Sequence, residues 1–294
     1  MNGVLLIDKP ADLTSAEVVR RVKRRLSHGV KVGHLGTLDP FATGLLPLCL
    51  GEATKIAQFL NTADKQYVGL IQLGWATDTG DRTGMRREEA AVPPLETHCL
   101  TALAARFTGD VLQRPPMYSA LKRDGVPLYA LARRGIEVER AVRPVRIDSL
   151  ALAADGADRL RFALACSKGT YVRVLAEAIG VGLGTVAHLA ELRRTGFGRF
   201  SIDQASSCDS WDPSRTPGLI GIREALAHLP AFPLDAANAQ AARQGKVAVL
   251  GRLSDALGRS AVLLDPAGEV AAVVVHERGA WRYGRVLAAS PGFT

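Results

Sequence analysis

The chain contains stretches in which hydrophobic and polar residues alternate and others in which hydrophobic residues recur at helical spacing. Residues 65–73 alternate, which predicts a half-buried strand. Residues 3–7 are continuously apolar and predict a short buried strand. Residues 143–152 and 159–166 have strand patterns on either side of a polar turn, so they predict a β-hairpin.

Helical spacing begins near Thr14, which forms the sequence pattern of a capping box with Glu17. The apolar residues that follow leave five cations on the remaining circumference: Arg20, Arg21, Lys23, Arg24 and Arg25. Like charges at this spacing repel one another along a helix, so contact with phosphates is favoured over a purely solvated face.

Further helical patterns are distributed along the chain. They cover residues 53–60, 95–107, 128–134 and 171–179. In residues 189–194 the two leucines lie three positions apart, and this spacing favours a helix that contributes to the core.

Strands and helices follow one another without regular alternation. This order predicts an α+β fold with a mixed, largely antiparallel sheet instead of a doubly wound parallel sheet. Beyond about residue 229, β-rich runs at residues 261–264, 270–275 and 281–287 predict a small β-rich appendage. We therefore expect two domains, residues 1–229 and residues 230–294.

The composition indicates a globular protein with a polyanionic partner. Of the 294 residues 47% are hydrophobic, and the formal net charge is +8. The four cysteines lie far apart without a CxxC pattern, which predicts buried, reduced thiols. No stretch approaches the roughly 20 apolar residues of a membrane span. The first residues lack the basic region of a signal peptide, so we expect a cytoplasmic protein without a membrane partner.

Several motifs that would indicate a cofactor are incomplete. Residues 180–184, GVGLG, follow a helical pattern, whereas a dinucleotide-binding loop follows a strand. Residues 44–51 lack the lysine that follows the second glycine of a P-loop. No histidine stands at metal-ligand spacing from another histidine or from a cysteine. The sequence therefore predicts no metal and no cofactor.

Ser119 and Lys122 match the S-x-x-K pattern of serine acyl enzymes, and Lys168-Gly169-Thr170 is a permuted form of their K-T-G element. The pattern is short and the third polar element of those enzymes is absent. A serine hydrolase is therefore the weaker alternative.

Residues 33–44, GHLGTLDPFATG, contain a single carboxylate, Asp39. Pro40 disfavours helical backbone at Asp39, and the glycines permit positive φ or the close approach of another molecule. We expect Asp39 to lie on a shaped loop. A second segment, residues 167–173, joins a strand to a helix and places Tyr171 and Arg173 at the helix start.

Residues 33–40 resemble the loop that characterises the TruB-type tRNA pseudouridine synthases, also called tRNA pseudouridine-55 synthases. Four further blocks of this family match in the same order: Asp8-Lys9-Pro10 with Thr14-Ser15, Thr77-Asp78-Thr79 with Asp81, residues 115–122 and residues 168–173. The chain departs from the family at Asp12, where glycine is usual. The resemblance covers most of residues 3–194.

The resemblance implies an isomerase that converts the T-loop uridine at position 55 of tRNA to pseudouridine, without a cofactor. The C1′–N1 glycosidic bond breaks, uracil rotates, and C1′–C5 forms. Asp39 is then the nucleophile, although the sequence leaves open whether it acts on the ribose or the base. Arg173 is its basic partner, and Tyr67 stacks on the target base and assists proton removal from C5.

The same resemblance assigns substrate contacts to His34, Tyr171 and Leu192. It further implies the sheet of the pseudouridine synthases, a flipped-out target base, and a PUA-like RNA-binding domain after residue 229. The partner is the T-arm of tRNA, the expected oligomeric state is a monomer, and Arg193 with Arg194 suits phosphate contact.

A protein that binds or folds tRNA without catalysis explains the positive charge equally well. Such a protein does not need Asp39 paired with Arg173, so the geometry around that carboxylate discriminates between the two alternatives.

Overall fold

A computed structural model describes residues 1–214, 218–254 and 257–289. The strands are β1 (Gly3–Lys9), β2 (Val32–His34), β3 (Thr43–Leu50), β4 (Lys65–Leu73), β5 (Trp75–Thr77), β6 (Arg86–Glu89), β7 (Gly109–Gln113), β8 (Lys122–Arg123), β9 (Val126–Pro127), β10 (Arg143–Ala154), β11 (Arg159–Cys166), β12 (Ala187–Phe197), β13 (Phe200–Ser201), β14 (Ser206–Ser207), β15 (Leu219–Ile220), β16 (Ala231–Pro233), β17 (Ser260–Leu264), β18 (Val270–Glu277) and β19 (Ala280–Val286). The helices are α1 (Ser15–Lys23), α2 (Ala57–Leu60), α3 (Thr97–Phe107), α4 (Leu128–Ala132), α5 (Val172–Gly182), α6 (Ile222–Ala225) and α7 (Ala236–Arg243). Short 3-10 helices cover Gly51–Ile56, Ile202–Gln204 and Val247–Arg252.

A large sheet forms the centre of the fold. Its main strand order is β14-β1-β3-β12-β4-β11-β10-β7, with β2, β13 and β15 paired at its side. Strand β12 runs parallel to β3 and β1 runs parallel to β14, whereas the other neighbouring strands are antiparallel. The predicted α+β class with a mixed, largely antiparallel sheet is confirmed.

The strongest local patterns became the elements that they predicted. Strand β4 has the predicted bounds, and β10 and β11 form the hairpin. Helix α1 begins with a complete capping box, in which Thr14 accepts from the backbone of Glu17 and the Glu17 side chain accepts from the backbone of Thr14. The predicted helix at residues 53–60 is a 3-10 helix that continues into α2.

The prediction that residues 189–194 form a helix is wrong, because these residues lie in strand β12. The ladder with β4 shifts register between Leu189 and Glu191. A β-bulge of this kind adds one residue and moves the inward positions out of strict alternation. Leu189 and Leu192 are therefore both buried although they lie three residues apart, a spacing that also suits a helix.

The sheet is buried on both faces at β1. Leu5 and Ile7 pack in one apolar cluster together with residues of α1, α3 and α5, whereas Val4 and Leu6 pack in a second cluster on the opposite face. A strand that is covered on both sides needs apolar residues at every position, which explains its continuous hydrophobic run.

The C-terminal part contains a second sheet, with strand order β16-β17-β18-β19. The β-rich runs predicted from the sequence are β17, β18 and β19, whereas α7 was not predicted. Val273 and Leu287 from this part pack in the same apolar cluster as Val4 and Leu6. The division at residues 229 and 230 remains a prediction, and residues 290–294 of the second domain lie outside the described residues.

Candidate active site

One cavity of about 530 Å³ opens beside the centre of the large sheet. All six residues that the sequence singled out line it: His34, Asp39, Tyr67, Tyr171, Arg173 and Leu192. They come from four separate segments of the chain, so only the tertiary fold brings them together.

A buried lysine, Lys9, holds the loop that carries Asp39. Lys9 is completely buried, and its Nζ donates to the carbonyl oxygens of Pro40 at 3.0 Å, Leu13 at 2.7 Å and Pro10 at 2.9 Å. The hydroxyl of Ser15 and the backbone of Leu38 bond to each other in both directions. The backbone on either side of Asp39 is therefore fixed, and its side chain is left to face the cavity.

The turn below this loop forms despite the departure of Asp12 from the family pattern. Asp12 has φ 63°, in the left-handed region that favours glycine, and its N–H donates to the carbonyl of Pro40 at 2.8 Å. Aspartate occupies this region more readily than most residues, at a cost of about 1 kcal/mol. The same residue also faces Arg82 at 3.8 Å.

Arg173 lies in the first turn of α5 and is only 5% exposed. Its Nε contacts a carboxylate oxygen of Asp39 at 3.0 Å, and Nη2 approaches the other oxygen at 3.4 Å. The remaining guanidinium donors reach the carbonyl oxygens of Thr79 at 3.0 Å and Tyr118 at 2.7 Å. These bonds fix the planar group, so it presents two nitrogens to the carboxylate.

A second carboxylate, that of Asp81, lies 3.7 Å from Nη1 of Arg173. It is buried and accepts hydrogen bonds from the hydroxyls of Thr79 at 2.9 Å and Thr83 at 2.6 Å. The sequence placed Asp81 in a matching block but gave it no role. Its position in a threonine-rich turn could have indicated this, because threonine hydroxyls can donate to a buried carboxylate.

Burial raises the pKa of Asp39, the Arg173 guanidinium opposes that rise, and the nearby charge of Asp81 adds to it. Arg173 favours the ionised carboxylate, but burial and the charge of Asp81 together outweigh this effect. The Asp39 side chain is 35% exposed, so a group that enters the cavity can contact its carboxylate.

Tyr67 on β4 and Leu192 on β12 are both 7% exposed and line the same cavity as Asp39. Burial raises the pKa of the Tyr67 phenol. An aromatic ring and an aliphatic side chain in one cavity suit the faces of a planar base.

His34 ends β2, and its Nδ1 is buried without a hydrogen-bond partner among the described residues. Burial lowers its pKa, so the neutral ring is favoured. Tyr171 precedes α5, where its N–H donates to the side chain of Gln113 at 2.9 Å. Both residues therefore flank the cavity from ordered backbone positions.

One family of known proteins matches about half of this chain. The model of the TruB family pseudouridylate synthases, N-terminal domain, matches residues 23–172. The chain belongs to the TruB family. Two similar TruB relatives are named tRNA pseudouridine synthase B. The protein from Aromatoleum aromaticum is 51% identical over 251 residues, which are 84% of this chain and 81% of the relative. The protein from Geobacter sulfurreducens is 46% identical over 250 residues, which are 83% and 82% of the two chains.

Solved structures with the same fold belong to larger assemblies. A chain of an H/ACA RNP bound to a substrate RNA containing 2′-deoxyuridine has a TM-score of 0.71 and 22% identity, and the match covers 98% of this chain and 85% of that chain. A chain of a Cbf5-Nop10-Gar1 complex has a TM-score of 0.66 and 24% identity, with coverage of 98% and 84%. At this identity the similarity establishes that the TruB chain shares their fold.

In this TruB chain the pair Arg193 and Arg194, which the sequence assigned to phosphate contact, makes contacts within the protein. Arg194 is completely buried and bonds to backbone carbonyls, because strand alternation turns it away from Arg193. Arg193 forms two hydrogen bonds with Asp8, at 3.0 and 2.7 Å. The predicted phosphate contact therefore does not hold for Arg194, and Arg193 already has an acidic partner.

Two of the five cations on and after α1 also bond to another segment of the protein. Arg21 pairs with Asp209 at 2.9 Å, and Arg25 donates to the carbonyls of Cys208 and Asp209. Lys23 and Arg24 are exposed, and Arg20 lies 3.5 Å from Glu17. Only part of the basic face is therefore available to a polyanion.

The cysteines and the metal-binding potential of the TruB chain also differ in part from expectation. Cys49, Cys166 and Cys208 are buried free thiols as predicted, but Cys99 is exposed. Cys99 also lies near Glu96 and His98, with ligand atoms within 4.8 Å of one another, on the exposed start of α3. These are near neighbours in sequence, and nothing else in the described part of the chain indicates an ion there.

The serine hydrolase alternative finds no support in the geometry. Ser119 is buried, and its side chain interacts with the phenol of Tyr171. Lys122 is exposed on β8, where it pairs with Pro127. A lysine in this position does not activate Ser119. The helices in the described ranges include none that is long and apolar enough to cross a membrane.

Proposed function

We propose that the protein converts the T-loop uridine at position 55 of tRNA to pseudouridine, with Asp39 as the nucleophile. The single observation that carries this proposal is the pair formed by Asp39 and buried Arg173, with 3.0 Å between Nε and the carboxylate, in a cavity that also contains Tyr67. A protein that only binds tRNA has no need of a carboxylate that a buried arginine orients at the wall of such a cavity.

The carboxylate acts as a nucleophile on the ribose or the base of the target nucleotide. Arg173 holds it in place and stabilises its ionised form, and Asp81 together with the carbonyls of Thr79 and Tyr118 holds Arg173. The substrate and product are isomers, so the net reaction requires no redox partner and no donor of a chemical group. After the C1′–C5 bond forms, the proton on C5 is removed and N1 gains one.

The target base must leave the RNA stack to reach Asp39. Extrusion of a base costs a few kcal/mol, which stacking and phosphate contacts must offset. Tyr67 stacks on one face of the uracil and Leu192 contacts it within the same cavity. His34 and Tyr171 line the cavity and contact the RNA near the flipped nucleotide.

The choice of the T-arm as substrate rests on the family relationship and on the positive charge of +8. Relatives with 46 to 51% identity carry the name tRNA pseudouridine synthase B. We propose that the enzyme acts as a monomer in the cytoplasm and that the C-terminal sheet is a PUA-like domain that binds RNA. We further propose that the reaction needs no cofactor.

The decisive experiment compares Asp39→Asn with the wild type on a T-arm transcript, with nucleoside analysis as the readout. We expect pseudouridine formation to fall by at least about 10³-fold, because the amide is not a nucleophile of comparable strength. Asp110→Asn is the matched control, since Asp110 is an exposed carboxylate on β7. Pseudouridine at the wild-type rate in Asp39→Asn excludes the assignment of the nucleophile. Activity on other stems but not on the T-arm excludes the assignment of the substrate.

A further inference from the structure

Arg194 is the largest of the side chains that are completely buried in the described part of the fold. Its Nε donates to the carbonyl of Leu45 at 2.7 Å, and its Nη2 donates to the carbonyl of Gly36 at 2.9 Å. The third nitrogen, Nη1, is buried and meets no partner at ideal hydrogen-bond geometry among the described residues, but the guanidinium interacts with the phenol of Tyr67. A buried cation whose donors are not all well bonded is costly, so its retention calls for a physical reason.

The two bonds that Arg194 makes hold the loop of the nucleophile. Gly36 lies three residues before Asp39, and Leu45 lies six residues after it. Arg194 therefore ties both arms of this loop to β12, on which Leu192 also lies. Gly36 has φ 63°, and a Cβ on it would lie 3.2 Å from Nη1, so the loop approaches the guanidinium as closely as glycine permits.

The guanidinium of Arg194 lies beside the phenol of Tyr67. Arg194 and Tyr67 are direct cross-strand partners in the ladder between β12 and β4, so their side chains stand on the same face of the sheet. Both side chains line the cavity. Burial has the largest effect on the Tyr67 phenol and raises its pKa, whereas Arg194 lowers that pKa and Cys166 and Asp39 raise it further.

We propose that Arg194 is a positioning residue for the isomerisation. Two of its nitrogens fix the loop of Asp39, and Nη1 donates a hydrogen bond to the phenolic oxygen of Tyr67 that is kept when the target base occupies the cavity. This inference rests on the proposed function, because it assumes that the target uridine enters this cavity.

The geometry gives this bond a definite effect on the reaction. A phenolic oxygen that accepts from Arg194 holds the Tyr67 ring at a fixed angle to the base that it stacks on. The adjacent positive charge also favours the ionised phenol, which is the form able to accept the proton from C5 of the new C-glycoside. Arg194 thereby couples the position of the nucleophile to that of Tyr67.

A double-mutant cycle separates this role from that of a structural brace. Arg194→Lys retains a positive charge but loses the planar fork that reaches three acceptors. We expect it to lower kcat by about 30-fold with KM for tRNA changed by less than about threefold, because the lost interaction matters in the transition state. In the Tyr67→Phe background, which lacks the acceptor, the same change should lower kcat by clearly less, because only the bonds to the loop of Asp39 remain to be lost.

Arg243→Lys is the matched control, because Arg243 is another largely buried arginine that bonds to a carbonyl, that of Leu287, and to Asp265. It should lower thermal stability without the loss in kcat. If Arg194→Lys does not fold, the cycle is measured with Arg194→Gln, whose neutral side chain carries no cost of burying a charge.

Equal losses of kcat from Arg194→Lys in the wild-type and Tyr67→Phe backgrounds would overturn the proposal, and so would an effect on KM alone. Either result shows that Arg194 does not act through the phenol. A wild-type protein that forms no pseudouridine in tRNA overturns the proposed function and this inference with it. An active wild type with an additive cycle overturns this inference only.

Discussion

Asp39 and Asp81 approach the same guanidinium group, that of Arg173, from different sides. One buried arginine therefore interacts with two carboxylates at the centre of the site. The Asp39 pKa is raised by burial, lowered by Arg173 and raised again by Asp81. Asp81 consequently has opposing effects: it holds the partner of the nucleophile, and it also makes the nucleophile harder to ionise.

The Asp81→Asn variant tests both effects through the pH dependence of kcat/KM. Because the Asp39 pKa lies above its ordinary value of 3.8, activity should fall with decreasing pH before an ordinary aspartate would be protonated. Removal of the Asp81 charge lowers the Asp39 pKa, so this acid limb should move to lower pH. The plateau should fall about tenfold, equivalent to about 1.4 kcal/mol, because Arg173 is held less firmly.

Asp78→Asn is the control for that experiment. Asp78 lies in the same turn, but its carboxylate accepts from the backbone of Met85 at 2.8 Å. Its acid limb and plateau should match the wild type. An acid limb in Asp81→Asn that stays in place or moves to higher pH contradicts the electrostatic role given to Asp81.

The sequence shows at this scale why some site residues could be predicted and others could not. Asp39 stands out because it is a lone carboxylate before proline in a glycine-rich segment, a combination that disfavours a helix or strand and indicates a shaped loop. Lys9 and Arg194 gave no such signal, since a cation in sequence is expected on the surface. Their burial depends on backbone carbonyls that only the folded loop brings within reach.

At the scale of the elements, β12 shows why β-bulges make a strand hard to recognise from its sequence. Its ladder with β4 shifts register twice, between Leu189 and Glu191 and between Arg194 and Gly196. Each shift interrupts the two-residue period by which a strand is recognised. Strand β4 pairs along the same ladder without skipping a residue, and its bounds were predicted correctly.

The helix α1 segment allows a comparison of cations within a single element. Lys23, Arg24 and Arg25 are exposed, but Arg25 and the half-buried Arg21 bind the segment around Asp209. We expect the double substitution of Lys23 and Arg24 by alanine to reduce the slope of log binding constant against log salt by about 1.5, near the value for two lost phosphate contacts. Thermal stability and kcat at saturating tRNA should not change.

The opposite result is expected for the matched double substitution of Arg21 and Arg25 by alanine. It removes internal bonds, so the thermal midpoint should fall while the salt slope changes by less than about 0.5. Binding measured by fluorescence anisotropy over a series of salt concentrations, together with thermal unfolding, separates the two classes. Equal salt slopes for both double variants contradict the division of the basic face.

At the scale of the whole molecule, the C-terminal sheet is packed on the segment that leads from β3 toward the cavity. Lys55 donates to the carbonyl of Val286 at 3.2 Å, and the backbone of Ala288 donates to Glu52 at 2.7 Å. A Cβ at Gly284 would lie 2.9 Å from the ring of Phe59. The sequence predicted this sheet from its β-rich runs, but it carried no sign of the shared apolar cluster, because contacts between residues far apart in the chain have no local pattern.

Gly284→Ala tests whether this contact joins the two parts into one cooperative unit. The added methyl group overlaps Phe59 and lies 3.3 Å from the carbonyl of Val273, so the two surfaces must move apart at a cost of about 1–3 kcal/mol. A loss of that size lowers the midpoint of thermal unfolding by about 2–4 °C per kcal/mol in a chain of this length class. Gly251→Ala is the control, since no atom lies within 4 Å of its Cβ position.

Because Val273 and Leu287 belong to the same apolar cluster as Val4, the whole protein should unfold in one transition that Gly284→Ala shifts and Gly251→Ala leaves in place or raises. Two separate transitions, with only the smaller one moved by Gly284→Ala, would show that the C-terminal sheet is stable independently of the sheet that carries the cavity.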